Sequence, residues 1–285
     1  MRVKTIGVVG AGIMGRGIAQ VAAHGGFQTV LQDVDAKQLE VARKSIEAGL
    51  AKLVELHKTS REEADATLAR LRLTRDLAEA CSAADLVIEA APESIDLKVQ
   101  LFGDFQRHCP PSALLASNTS SLSITEMAAV VRHPERVLGM HFFNPVPRMA
   151  LCEIVRALET DDDTITLAVE VAHRMRKETV VVRESPGFIT SRINAMIGNE
   201  AFYMLQEGVA SAPDIDKALK LGLNHPMGPF ELVDLVGLDT RLAILQYLHR
   251  SLGEKYRPAP LLVQYVQAGR LGKKAGRGVY EYDVE

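Results

Sequence analysis

The chain has 285 residues, of which 47% are hydrophobic and 24% charged, with a formal net charge of -3. This is ordinary soluble globular composition, long enough for one large domain or two ordinary ones, and the lack of a long basic run argues against nucleic acid as the main partner. Three scattered cysteines, Cys81, Cys109 and Cys152, show no CxxC spacing and no even framework, which fits a reduced, cytoplasmic-type compartment.

Arg2 and Lys4 precede an apolar stretch, Ile6 to Met14, that could pass for the start of a signal peptide. That stretch and the residue after it carry glycines at positions 7, 10, 12 and 15, and a helix-forming sequence runs straight on, so it reads as a nucleotide-binding strand and turn. No apolar run approaches the roughly 20 residues a membrane span needs.

Thr5 to Val9 is a short run rich in β-branched residues and reads as a buried strand. Gly10-Ala11-Gly12-Ile13-Met14-Gly15 follows at once and opens a helix over Ile13 to Ala23. Phe27 to Leu31 is the next strand and leads to Asp33. Gly10 allows the tight turn, Gly12 lets the backbone approach a pyrophosphate, and Gly15 lets the helix pack closely on the strand. The N–H groups at Ile13 and Met14 and the positive end of the helix dipole then face the phosphates. Asp33 stands where an acid accepts the adenosine ribose hydroxyls. A lone GxGxxG is weak, but strand, helix, second strand and acid together give a dinucleotide site. The carboxylate repels a 2′-phosphate and no Arg stands at Val34 or Asp35, so NAD is expected over NADP.

Asp35 to Lys58 reads as a long amphipathic helix with Leu39, Ala42, Ile46, Leu50, Leu53 and Val54 on its apolar stripe. A second helix starts at a capping-box pattern, Ser60 and Glu63, and runs to about Leu71. This helical arm is either structural or a lid over substrate. Lys52 and Lys58 could meet a negatively charged substrate group, although solvated helix charges are the blander reading. Asp85 to Ala90 reads as the third strand, Ile95 to His108 as a helix, and Ala113 to Ser117 as the fourth strand. The loops after Ala90 and Ser117 fall at strand carboxyl ends, where open α/β sheets bind ligands. One of Ser120 and Ser121 is expected to cap the following helix.

Val137 to Met140 is strand-like, Pro145 and Pro147 force a loop, and Leu151 to Val155 looks extended again. A strand, a bend and a returning strand can bring His141 opposite Glu153. A carboxylate beside an imidazole fixes which nitrogen carries the proton, aims the other, and stabilises the imidazolium. Asp161 to Arg176 reads as a helix and Thr179 to Arg183 as a short strand. After Ser185-Pro186-Gly187 the chain turns all-helical, with helices over Phe188 to Gln206, Pro213 to Leu221, Phe230 to Ser251 and Pro260 to Ala268. The fold class is therefore α/β, a Rossmann-type NAD-binding domain with a helical arm over 1–184, then an all-α substrate and dimerisation domain over 185–285. The many apolar residues of those helices point to a homodimer. No HExxH or Cys/His cluster is present, and no metal is expected.

GAGIMGRGIAQ at 10–20, PESIDLK at 92–98, SNTSSLS at 117–123, GMHFFNPVP at 139–147, ESPGFITSR at 184–192, HPMGPFELVDLVGLD at 225–239 and GKKAGRGVYEY at 272–282 follow one another in order. On these motifs the whole chain resembles the L-3-hydroxyacyl-CoA dehydrogenase family, most closely its bacterial 3-hydroxybutyryl-CoA branch. The resemblance implies reversible NAD-dependent hydride transfer between a 3-hydroxyacyl-CoA and a 3-ketoacyl-CoA. It puts the catalytic histidine on His141, its partner glutamate on Glu153 and a substrate-positioning serine on Ser120. It implies Asp33 at the adenosine ribose, Ala90, Glu93 and Lys98 along the cofactor, Asn144 at the nicotinamide end, and a tail lysine, Lys273 or Lys274, reaching back to the site. Many relatives carry asparagine in the PGF-xx-N-R stretch, where this chain has Ser191, so the substrate contact there differs. An L-gulonate-type sugar-acid dehydrogenase on the same scaffold, or a nucleotide-binding protein without turnover, are the alternatives. The lack of an extra domain suggests a stand-alone enzyme.

Overall fold

The computed structural model describes residues 2–283. The chain divides into two compact units, Met1–Glu184 and Ser185–Glu285. In the first, eight strands form one sheet: β1 (Thr5–Val9), β2 (Gln28–Gln32), β3 (Leu71–Thr74), β4 (Leu86–Glu89), β5 (Leu114–Ser117), β6 (Val137–Phe142), β7 (Leu151–Arg156) and β8 (Glu178–Arg183). Their order is β3-β2-β1-β4-β5-β6-β7-β8. Pairing is parallel from β3 through β6, antiparallel between β6 and β7, and parallel again to β8.

The central strands are apolar up to their last residues, Glu89 and Ser117, because both faces are covered: all four residues of β4 and of β5 are buried. Ile6 and Val8 of β1 face a core shared with α1 (Ile13–His24), α2 (Ala36–Glu55), α3 (Arg61–Ala69) and α7 (Asp162–Arg174), which contribute Ile18, Ile46, Ala64 and Val171. Gly7 between them faces the other way, where a Cβ would meet the Ala80 carbonyl oxygen of α4 (Leu77–Cys81). Phe102 and Phe105 of α5 (Ile95–His108) and Ile124 and Met127 of α6 (Ile124–Ala128) are also buried. Each such fully buried side chain is worth about 1.5–3 kcal/mol over its exposed state.

Three sequence expectations change. The helix read as running to Leu71 stops at Ala69, and Leu71–Thr74 is a strand, so the strand over 85–90 is the fourth and not the third. Four residues of LRLT are too short to announce themselves, and the β2 ladder decides the matter, with Thr29 N donating to Arg70 O at 2.9 Å and Asp33 N to Thr74 O at 3.2 Å. At the start of α3, Ser60 accepts from Glu63 N at 3.1 Å, while the Glu63 carboxylate turns away to Thr59 and Arg176 and so does not close the box. The arm itself is structural along its apolar stripe, since Leu39, Ala42, Ile46 and Leu50 are buried in the main core.

The second unit is helical: α8 (Thr190–Gln206), α9 (Ala212–Gly222), α10 (Pro229–Val236), α11 (Leu238–Leu252) and α12 (Pro260–Gln267). The single helix read over Phe230 to Ser251 is two, because Gly237 sits at φ +104°, a conformation that glycine adopts without strain. Phe202, Phe230, Leu245, Leu248 and Leu262 are among its core residues. Among the described residues no helix is long and apolar enough to cross a membrane.

Candidate active site

The glycine turn leaves β1 at Val9. Gly10 has φ +101°, and a Cβ there would lie 2.6 Å from the Ala90 carbonyl oxygen, so the ends of β1 and β4 approach this closely only with glycine between them. Gly15 is equally constrained, since its Cβ would collide with the Gly10 carbonyl. Gly12 has nothing within 4 Å of where a Cβ would stand, and its backbone is exposed. The first helical bond runs from Arg16 N to Gly12 O at 3.0 Å, which leaves the N–H groups of Ile13, Met14 and Gly15 at the open end of the α1 dipole. Asp33 is tied to this turn: its Oδ2 accepts from Ala11 N at 2.7 Å and its Oδ1 from Asp35 N at 2.9 Å. An open Gly12 backbone, a helix N-terminus and an anchored carboxylate suit the pyrophosphate and adenosine ribose of NAD.

Past β4 the site is built on a buried ion pair absent from the sequence reading. Glu89 is fully buried; its Oε1 accepts from Lys98 Nζ at 2.7 Å and Ala91 N at 2.5 Å, and its Oε2 from Ser117 Oγ at 2.5 Å. Lys98 is 1% exposed, and its ammonium also donates to Ala91 O at 3.3 Å and lies 3.4 Å from Glu93 Oε2. Lys98 thus props the loop from inside, while Glu93 stands at the surface. The Glu93 Oε1 accepts from Thr119 Oγ1 at 2.5 Å, Ser120 N at 3.1 Å and Ser120 Oγ at 3.3 Å. Neither Ser120 nor Ser121 caps the next helix: Ser123 does, accepting from Glu126 N at 3.2 Å. That leaves Ser120 Oγ on Glu93 at the carboxyl end of β5.

His141 and Glu153 are direct partners across the β6–β7 ladder. The His141 Nδ1 lies 2.7 Å from Glu153 Oε2, with His141 6% and Glu153 0% exposed. A carboxylate only accepts, so Nδ1 carries the hydrogen, and in the neutral ring the basic nitrogen is then Nε2. The Phe143 ring packs on the imidazole at 4.4 Å between centroids. Strand β6 is fixed beside β5 by Phe142 N, which donates to Asn118 Oδ1 at 2.9 Å. Asn144, exposed, begins the loop that follows. That loop is clamped from below by Lys177, buried, whose Nζ donates to Val146 O at 2.6 Å and Met149 O at 2.7 Å. Burial pushes the Lys177 ammonium below the ordinary lysine range.

Lys52 is exposed on α2 and paired with Glu55 at 3.0 Å. In the second unit, Ser191 lies in the first turn of α8 and is half-buried. Lys274 is held by both oxygens of Asp239 at 2.7 Å, and Lys273 lies over the Tyr282 ring. Two buried carboxylates that the sequence reading passed over fasten the C-terminal tail. Asp216 accepts from Phe230 N, Glu231 N and Tyr280 Oη, and Asp234 from Val279 N, Tyr280 N and Tyr282 Oη. Burial, then these carboxylates, hold both tyrosine hydroxyls above their ordinary range. Asp234→Ala strands three part-buried donors and is expected to lower stability by about 1–3 kcal/mol, read as a fall in the urea unfolding midpoint. An unchanged midpoint would refute the tail-fastening role.

Fold and site together define a nicotinamide-dependent oxidoreductase of the two-domain kind. Comparison with known proteins takes this further. The profile for "3-hydroxyacyl-CoA dehydrogenase, NAD binding domain" matches residues 5–185, and that for "3-hydroxyacyl-CoA dehydrogenase, C-terminal domain" matches residues 187–282. A probable 3-hydroxybutyryl-CoA dehydrogenase of Bacillus subtilis is 48% identical over 284 residues, 99% of both chains. A 3-hydroxybutyryl-CoA dehydrogenase of Bradyrhizobium diazoefficiens is 46% identical over 98% of this chain and 96% of its own. The crystal structure of (S)-3-hydroxybutyryl-CoA dehydrogenase from Ralstonia eutropha superposes with a TM-score of 0.95 at 42% identity, covering 99% of this chain and 100% of that one. The chain belongs to the 3-hydroxyacyl-CoA dehydrogenase family, and its first unit is the NAD-binding domain.

Proposed function

We propose that the chain interconverts (S)-3-hydroxyacyl-CoA and 3-ketoacyl-CoA, with 3-hydroxybutyryl-CoA and acetoacetyl-CoA as the pair it turns over. The observation that carries this reading is the buried His141–Glu153 pair at the carboxyl edge of an NAD-binding sheet. In the oxidising direction Nε2 of His141 takes the proton of the C3 hydroxyl; in the reducing direction it returns that proton. Glu153 holds the ring in the required tautomer and stabilises the imidazolium. Ser120, steadied by Glu93, hydrogen-bonds the reacting oxygen, and Asn144 borders the nicotinamide end. When bound, NAD carries the hydride at its nicotinamide ring, and the protein supplies position and electrostatics. Ser191 gives the substrate a shorter contact than the asparagine of many relatives.

The deciding experiment follows NADH oxidation with acetoacetyl-CoA, with NADPH, a longer 3-ketoacyl-CoA and a sugar acid run beside it. Fast turnover that favours NADH and the four-carbon substrate is the expected result. Turnover on the sugar acid but on no acyl-CoA would overturn the substrate assignment.

A further inference from the structure

Strand β3, invisible in the sequence pattern, changes the chemistry of the adenosine end of the cofactor site. Gln32 of β2 pairs with Thr74 of β3, so the next residues, Asp33 and Arg75, leave the same sheet edge side by side. Three bonds fix the arrangement. Asp33 N donates to Thr74 O at 3.2 Å, Gln32 Nε2 to Arg75 O at 3.2 Å, and Arg75 Nε to Val34 O at 3.2 Å. The guanidinium is therefore held one residue past the ribose-facing acid. Arg75 is exposed, as is Val34 at 76%. Among the described residues Arg75 makes no ion pair, and its terminal nitrogens have no acceptor. Asp35 and Asp76 stand nearby, but the Oδ1 of each already accepts a backbone N–H, from Lys37 at 2.8 Å and Ala78 at 2.9 Å.

An exposed guanidinium with a free two-nitrogen fork is the protein's best ligand for a phosphate. Here it adjoins the carboxylate that selects against one. Asp33 sits on the glycine turn itself, through Ala11 N, and Arg75 lies one strand further out. We propose that Arg75 is a second cofactor-selectivity residue, a phosphate-binding fork that Asp33 keeps out of use. Once the Asp33 charge is removed, Arg75 takes the 2′-phosphate of NADP.

The inference rests on the NAD-binding assignment of this domain, so the test separates the two. Calorimetry measures ADP-ribose and 2′-phospho-ADP-ribose binding to the wild type, Asp33→Asn and Asp33→Asn/Arg75→Ala. Asparagine keeps an oxygen for Ala11 N while removing the charge. Asp33→Asn is expected to bind the 2′-phosphorylated ligand at least about tenfold tighter than the wild type, the increment of one good charge-assisted bond. The double variant is expected to bind the 2′-phosphorylated ligand about tenfold more weakly than Asp33→Asn, with the same ADP-ribose affinity as Asp33→Asn. Equal 2′-phosphate affinity in these two variants, or no gain in Asp33→Asn, overturns the proposal. ADP-ribose binding shows in each case that the site is folded. Asp33→Ser takes the place of any asparagine variant that fails this control. Failure of the wild type to bind ADP-ribose would instead overturn the NAD-binding assignment.

Discussion

His141→Ala is expected to lower turnover by roughly 10²–10⁴-fold, the usual worth of a positioned general base, with NADH affinity nearly unchanged. The size follows from what the alanine removes. The alanine removes the imidazole that a buried carboxylate orients through Nδ1, and with it the Nε2 that exchanges the substrate proton. Cofactor affinity should survive because the groups suited to NAD belong to other strands. Gly10 and Gly12 follow β1, and Asp33 follows β2. The variant also leaves the Glu153 charge buried without its imidazole. Stability is therefore measured alongside, and turnover is read only below the variant's unfolding transition. Fluorescence titration with NADH and steady-state turnover on acetoacetyl-CoA give the two numbers. Retention of more than about a tenth of the activity would contradict proton transfer by His141, since general acid–base catalysis supplies at least about 10²-fold.

How much of this was legible in the sequence depends on whether local spacing carried the signal. The glycine turn could be read because strand, turn, helix and acid follow one another within a single β-α-β unit. The alignment of His141 with Glu153 could be read because two prolines force a bend between two extended runs, and an antiparallel return pairs residues in mirror order. What escaped depends on contacts between distant segments. Glu89 ends an apolar strand, and nothing in DLVIEA says that a lysine from the next helix neutralises it. Asp216 and Asp234 look like exposed helix charges until the tail lays its N–H groups and tyrosines on them. Arg75 looks like a loop charge until β3 pairs with β2. Lys177 sits at the end of a helix and gives no hint that two carbonyls of the loop after Asn144 lie above it.

Glu153→Gln is expected to cost turnover roughly as much as losing the base, between about 10² and 10⁴-fold, though the imidazole itself remains. Two effects act together. An amide can present its NH2 group to Nδ1, which moves the ring hydrogen to Nε2 and leaves nothing there to accept a proton. Alternatively it presents its oxygen, which keeps the tautomer but removes the negative charge beside the imidazolium. Two unit charges with centres about 4 Å apart attract by about 4 kcal/mol at an effective dielectric of about 20, or about 10³-fold in rate, the middle of the range. In serine-protease triads the same carboxylate-to-amide exchange costs about 10⁴-fold through the wrong tautomer. The two residues act as one unit, so their effects should not multiply. His141→Ala/Glu153→Gln is expected to be no slower than His141→Ala alone, within a few-fold. Steady-state kinetics on the two single variants and the double variant close the cycle. A double variant slower by the product of the single effects would mean that Glu153 acts on something other than His141.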